Sequence, residues 1–237
     1  MEARERLIVA LDVKTFDEAV EMIEILAPEV DIFKVGIAPF TGFGEAILDK
    51  LEYERKKCFL DLKFHDIPNT VANAAKAAMM KNIFMTNFHC LGGKKMLEAA
   101  VRGIKNVAEG GIRPILLGVT MLTSMDQTEM NSMGFEGDLE DKVIEMAVMA
   151  KEAGLDGVVA SALEARKIKE AAGEDFIVVT PGIRPEWADK GDQSRILTPK
   201  QAIKEKADYI VVGRPILEAD DPAEAARRII EEIEAAG

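Results

Sequence analysis

Eight times along the chain a short apolar run gives way to a stretch of helical periodicity, and this alternation limits the possible folds more than any other feature. The apolar runs are Leu7–Asp12, Asp31–Gly36, Cys58–Lys63, Phe84–Cys90, Arg113–Thr120, Gly157–Ser161, Phe176–Gly182 and Tyr209–Arg214. Runs that are apolar almost throughout imply parallel strands covered by helices rather than a half-wet sheet. The first intervening stretch shows the pattern: Ala19, Val20, Ile23, Leu26 and Ala27 share one face while Glu18, Glu21 and Glu24 stay outside. No G-x-G-x-x-G follows any run, which counts against an open dinucleotide-binding sheet. The expected architecture is α/β, a closed (β/α)8 barrel spanning residues 1–237 as one domain, a usual length for that fold. Within it Pro39–Gly44, Met121–Gly137 and Ile183–Leu197 read as loops, and the chain reads as entering its first strand directly.

Composition narrows the partners. A net charge of −12 argues against nucleic acid, whose phosphates call for clustered Lys and Arg, so any anionic ligand needs a locally basic pocket. No apolar run reaches the ~18 residues of a membrane span, and a first strand this early leaves no room for a signal peptide. A cytoplasmic protein is the expectation. Cys58 and Cys90 lie far apart in apolar runs and read as buried, reduced thiols.

In a barrel the chemistry sits at the C-terminal ends of the strands. Those ends carry Asp12, Lys34, Asp61, Lys63, His89, Thr120, Ser161, Thr180 and Arg214. Asp61 and Lys63 stand two apart on a strand, so they point to one side, with Leu60, Leu62 and Phe64 on the other. Charges in a core strand cost several kcal/mol unless paired or wetted, and buried ion pairs stabilise poorly, so their presence points to chemistry. Lys34, inside Ile-Phe-Lys-Val-Gly, is as hard to solvate. Asp12 also reads as a cap for the next helix, and Asp66 as an Asx-turn residue ahead of Pro68. His65 and His89 read as structural, and two histidines so placed do not make a zinc set.

A second cluster joins Thr180-Pro-Gly-Ile-Arg-Pro185, Asp192-Gln193 and Gly213-Arg214-Pro215-Ile216, the loops after the seventh and eighth strands. Many barrels hold a phosphate there. Gly213 permits close backbone approach, and Arg214 offers a guanidinium fork to phosphate oxygens. The segment Ile183–Leu197 is the expected lid over it.

These residues resemble a known family. Asp61-x-Lys63-x-x-Asp66-Ile-Pro-Asn-Thr70, Leu122-Thr123-Ser124, Pro181-Gly-Ile-Arg184 with Asp192-Gln193-x-Arg195, and Gly213-Arg214-Pro215-Ile216 together look like orotidine 5′-phosphate decarboxylase of the bacterial type. The resemblance runs from Leu7 into the last helix. It implies a homodimer with shared active sites that acts on orotidine 5′-phosphate without metal or organic cofactor. It also implies a charge array of Lys34, Asp61 and Lys63, completed by Asp66 of the partner subunit. Asp12 and Lys34 would hold a ribose hydroxyl, and Ile67 and Thr70 would reach across the interface. Thr123 would meet the pyrimidine edge and Pro181 would line the site. Gln193 would bridge base and phosphate, while Arg184, Gly213 and Arg214 would hold the phosphate. The nearest rival on the same barrel is a magnesium-dependent sugar-phosphate lyase, such as a hexulose-phosphate synthase or a ketogulonate-phosphate decarboxylase, which shares D-x-K-x-x-D.

Overall fold

The computed structural model describes residues 1–79, 81, 83–105, 113–188 and 197–236. Eight parallel strands close into a barrel in sequence order. They are β1 (Leu7–Ala10), β2 (Ile32–Gly36), β3 (Lys57–Phe64), β4 (Met85–His89), β5 (Ile115–Val119), β6 (Gly157–Val159), β7 (Ile177–Thr180) and β8 (Tyr209–Val212). The barrel closes where Leu7, Ile8 and Val9 of β1 pair with Ile210, Val211 and Val212 of β8.

Period two decides which side chains fill the barrel and which meet the helices. Ile8, Ala10, Ile32, Phe59, Met85, Leu117, Val179, Tyr209 and Val211 pack as an interior plug. Their neighbours face outward, for example Val9, Phe33, Leu60 and Ile210 on one side of the barrel and Phe88, Leu116, Val158 and Val178 on the other. Each such aliphatic or Phe side chain, fully buried, contributes about 1.5–3 kcal/mol. Phe59 and Val211 of this plug also line a cavity together with Lys34, Asp61 and Lys63.

The helices begin where their caps direct. Thr15 accepts from the Glu18 N–H at 3.2 Å while Glu18 reaches back to the Thr15 N–H, starting the helix Phe16–Leu26 with Ala19, Ile23 and Leu26 buried. This settles one alternative for Asp12, because the cap is Thr15. Asp138 starts Leu139–Glu152, and Gly154 and Gly173 follow their helices with φ of +92° and +97°, as a C-terminal turn requires.

Four short helices depart from the loop and strand expectations. Ala3–Arg6 precedes β1, closed by a Glu2/Glu5 capping box, and Arg6 donates to the backbone carbonyls of Asp208 and Ala207. Ile37–Phe43 replaces the loop expected from Pro39, whose missing N–H costs nothing in a first turn. Gln127–Ser132 forms inside the expected loop 121–137, capped by Asp126 and anchored by buried Met130. Arg214–Leu217 forms directly after β8, with Pro215 in its first turn. Helices of one or two turns carry too little periodicity to register in a sequence. Of the helix expected over Lys94–Glu109, the described part is Lys94–Lys105. Among the described residues no helix is long and apolar enough to cross a membrane.

Candidate active site

The C-terminal mouth of the barrel holds a cavity of about 240 Å3. Its floor is charged: Lys34, Asp61 and Lys63. Its wall is apolar, built by Phe59, Val119, Met121, Val159 and Val211, and Leu122, Thr123, Ser124 and Pro181 line the rest. The cavity thus joins an apolar wall to the hydroxyl-bearing residues Thr123 and Ser124.

The charges are connected. Lys63 Nζ donates to Asp61 Oδ1 at 2.7 Å, and Lys34 Nζ lies 3.4 Å from Asp61 Oδ2 and 3.6 Å from Asp12 Oδ1. Lys34 and Asp61 are nearly buried, with side chains 11% exposed, whereas Lys63 is 31% exposed and Asp12 is 58% exposed. Within the chain the set is two ammoniums and two carboxylates, so it can be desolvated together. Gly36 makes room for it, because a β-carbon there would lie 3.0 Å from Lys34 Nζ.

Lys63 itself sits at φ +50°, a left-handed backbone that costs a residue with a β-carbon about 1–2 kcal/mol. The conformation is held from β4. Asn87, fully buried, accepts from the Lys63 N–H at 2.8 Å and donates from Nδ2 to Asp61 Oδ1 at 2.6 Å. Sequence reading passed over Asn87, although the signal was present: a polar residue inside the apolar run Phe84–Cys90. An uncharged carboxamide stands out less than a lysine.

His89, at the end of β4, stacks on His65 with ring centroids 5.4 Å apart. Its Nδ1 accepts from the Leu91 N–H at 3.3 Å. Burial, then the charges of His65 and Lys63, hold its imidazole below the usual histidine range, so it stays neutral beside the array. Among the described residues no group of three or more His, Cys, Asp and Glu side chains is placed to hold a metal. Cys58 and Cys90 are free and buried, and burial pushes both thiols up to about 12.

Asp66, Ile67 and Thr70 stand apart from the cavity. All three are exposed, Ile67 at 67%, and Asp66 Oδ1 accepts from the neighbouring Ile67 N–H at 2.6 Å; this is not the Asx-turn weighed from the sequence, which needs the N–H two residues on, and Pro68 has none. They lie just beyond β3, on the surface formed by its final turn and the helix Pro68–Met79.

The second cluster forms its own recess of about 230 Å3, where Arg184 and Arg214 meet Trp187, Pro215 and Glu218. Arg184 is buried and donates to the Ile183 carbonyl at 3.1 Å, while Arg214 is exposed. Gly213 links this recess to the charge array, because a β-carbon on it would lie 3.9 Å from Asp12 Oδ2. Asp192, Gln193 and Arg195 lie outside the described residues, as does most of the expected lid.

Known proteins share this chain's pattern. The profile of the orotidine 5′-phosphate decarboxylase / HUMPS family matches residues 5–229. A Moorella thermoacetica protein named orotidine 5′-phosphate decarboxylase is 46% identical over 99% of this chain and 94% of its own length. A Legionella pneumophila protein of the same name is also 46% identical, over 96% of this chain and 99% of its own. Among solved structures, orotidine 5′-phosphate decarboxylase from Lactobacillus acidophilus superposes with a TM-score of 0.84 at 40% identity, covering 97% of this chain and 99% of that one. An uncharacterized conserved protein from Geobacillus kaustophilus superposes with a TM-score of 0.85 at 36% identity, covering 96% and 99%.

Proposed function

The chain belongs to the orotidine 5′-phosphate decarboxylase / HUMPS family, and from that membership we propose that it converts orotidine 5′-phosphate to uridine 5′-phosphate and CO2 in pyrimidine biosynthesis. The reaction proceeds without metal or organic cofactor, through a carbanion at C6 that Lys63 stabilises and protonates. The observation that carries this reading is the Lys63–Asp61–Lys34 array on the floor of an apolar cavity, beside Thr123 and Pro181.

The pyrimidine occupies that cavity with C6 toward Lys63. Breaking the C6–carboxylate bond leaves the electron pair in the ring plane, where no neighbouring carbonyl can delocalise it. An ammonium held beside C6 stabilises that charge and then delivers its proton, forming the C6–H bond and leaving CO2 to depart; solvent restores the ammonium. Asp61 adjoins the departing carboxylate. Like charges ~4 Å apart repel by about 4 kcal/mol at an effective dielectric of 20. Large enzymatic accelerations draw on up to ~23 kcal/mol, so stabilisation of the carbanion dominates and Asp61 acts chiefly by orienting Lys63.

Arg184, Gly213 and Arg214 hold the phosphate, which makes this corner the local basic site that an acidic protein needs. Asp12 and Lys34 hold the ribose. Asp66, Ile67 and Thr70, exposed beyond β3, serve the site of a second subunit in a homodimer.

The test is the loss of orotate absorbance when the protein meets orotidine 5′-phosphate, with and without EDTA. Turnover unaffected by the chelator is expected. No absorbance loss would remove the activity, and loss only without EDTA would move the chain to the metal-dependent lyases.

A further inference from the structure

The ladder between β3 and β4 pairs Leu60 with Thr86 and Phe64 with Phe88, so Asp61, Leu62 and Lys63 together face Asn87 alone. This is a bulge, a device that re-aims side chains beside active sites. Where backbone pairing stops, β4 supplies side chains instead. The Thr86 hydroxyl donates to the Leu60 carbonyl at 3.1 Å, and the Asn87 carboxamide occupies the gap. Its orientation follows from chemistry: Oδ1 must face the Lys63 N–H, and Nδ2 must face the Asp61 carboxylate. The same Asp61 oxygen takes the Lys63 ammonium at 2.7 Å. A ring results, running from the Asn87 amide through Asp61 to the Lys63 side chain and back through the Lys63 backbone.

We propose that Asn87 is the positioning residue for Lys63, a role that rests on the decarboxylase reading above. One buried carboxamide fixes both the left-handed backbone of Lys63 and the direction of the Asp61 carboxylate. The ammonium on a long, rotatable stem is thereby presented in a single place. Asn87 is not among the residues that line the cavity, so it acts through these two partners.

Two substitutions separate positioning from mere support of the barrel. Asn87→Ala removes both contacts. Asn87→Asp, nearly isosteric, keeps an acceptor for the Lys63 N–H but loses the donor and sets a second carboxylate against Asp61. Both are expected to lower kcat by about 100-fold, the cost of an ~1 Å misplacement, while KM and the affinity for uridine 5′-phosphate change by less than about threefold. Hydrogen exchange at the Lys63 amide, which needs no turnover, should speed up in Asn87→Ala and stay slow in Asn87→Asp. An unchanged kcat, or a loss of product affinity as large as the loss in kcat, would overturn the proposal. Failure of both variants to fold would do the same, making Asn87 a pin of the barrel. Should the wild-type protein leave orotidine 5′-phosphate untouched, the decarboxylase reading fails. Exchange then judges the clamp alone: faster exchange in Asn87→Ala supports it and unchanged exchange removes it.

Discussion

Lys63 is the residue on which the site turns, because its reactive end is wetter than its partners and its backbone is costlier. Its side chain is 31% exposed beside an Asp61 that is only 11% exposed, so of this pair Lys63 is the more open to a ligand in the cavity. Lys63→Ala is expected to abolish decarboxylation, since positioned acids contribute about 10²–10⁴-fold and electrostatic stabilisation adds to that. Asp61 would keep Lys34 at 3.4 Å and Asn87 at 2.6 Å, so no buried charge is orphaned and the variant should fold. Calorimetric titration should still register uridine 5′-phosphate, and turnover near the wild-type rate would exclude Lys63 as proton donor. At this scale much was legible in the sequence. Two-residue spacing puts Asp61 and Lys63 on one side of any strand, and Lys34 betrays itself inside an apolar run. The φ of +50° at Lys63 was not legible, because no glycine or asparagine marks it; the bulge that produces it arises between strands.

Among the elements, the helix Pro68–Met79 matters most, because it starts two residues after Asp66 and carries Thr70 in its first turn. It packs against Lys94–Lys105 through Gly103. A β-carbon there would overlap the Ala72 carbonyl oxygen and lie 3.1 Å from its carbon. Alanine ordinarily gains about 0.8–1 kcal/mol over glycine in a helix interior. Overpacking costs about 1–3 kcal/mol, and a backbone carbonyl cannot swing aside as a side-chain tip can. Gly103→Ala should therefore leave stability unimproved or lower it by up to about 2 kcal/mol, read as a fall in the urea midpoint. A clear rise in the midpoint would show that the helices have room to part. The long helices were legible through their periodicity, as Ala19, Ile23 and Leu26 show in the first, although its cap proved to be Thr15 rather than Asp12. The short ones at Ile37–Phe43, Gln127–Ser132 and Arg214–Leu217 were not, since the first two fall in stretches that read as loops and one or two turns show little period.

For the whole molecule, the order of residues along β3 and its extension separates two duties. Asp61 and Lys63 end inside the cavity of their own chain, whereas Asp66, Ile67 and Thr70 are exposed outside it. Residues so close in sequence cannot all turn into one barrel, and the proposed homodimer gives the exposed group a site to serve. A two-fold axis would then place each subunit's Asp66 against its partner's Lys63. Mixing inactive variants tests this arrangement directly. Asp66→Asn and Lys63→Ala homodimers each carry a lesion in both sites. In a heterodimer one site receives both lesions, and the other draws intact Lys63 from one subunit and intact Asp66 from the other. At equal amounts half the dimers are mixed and half their sites intact, so dissociation and reassociation should restore about a quarter of wild-type activity. The recovery should scale with the heterodimer fraction seen in native mass spectrometry. Heterodimers that form yet remain inactive would return Asp66 to its own chain and reduce its role to the turn it makes with Ile67.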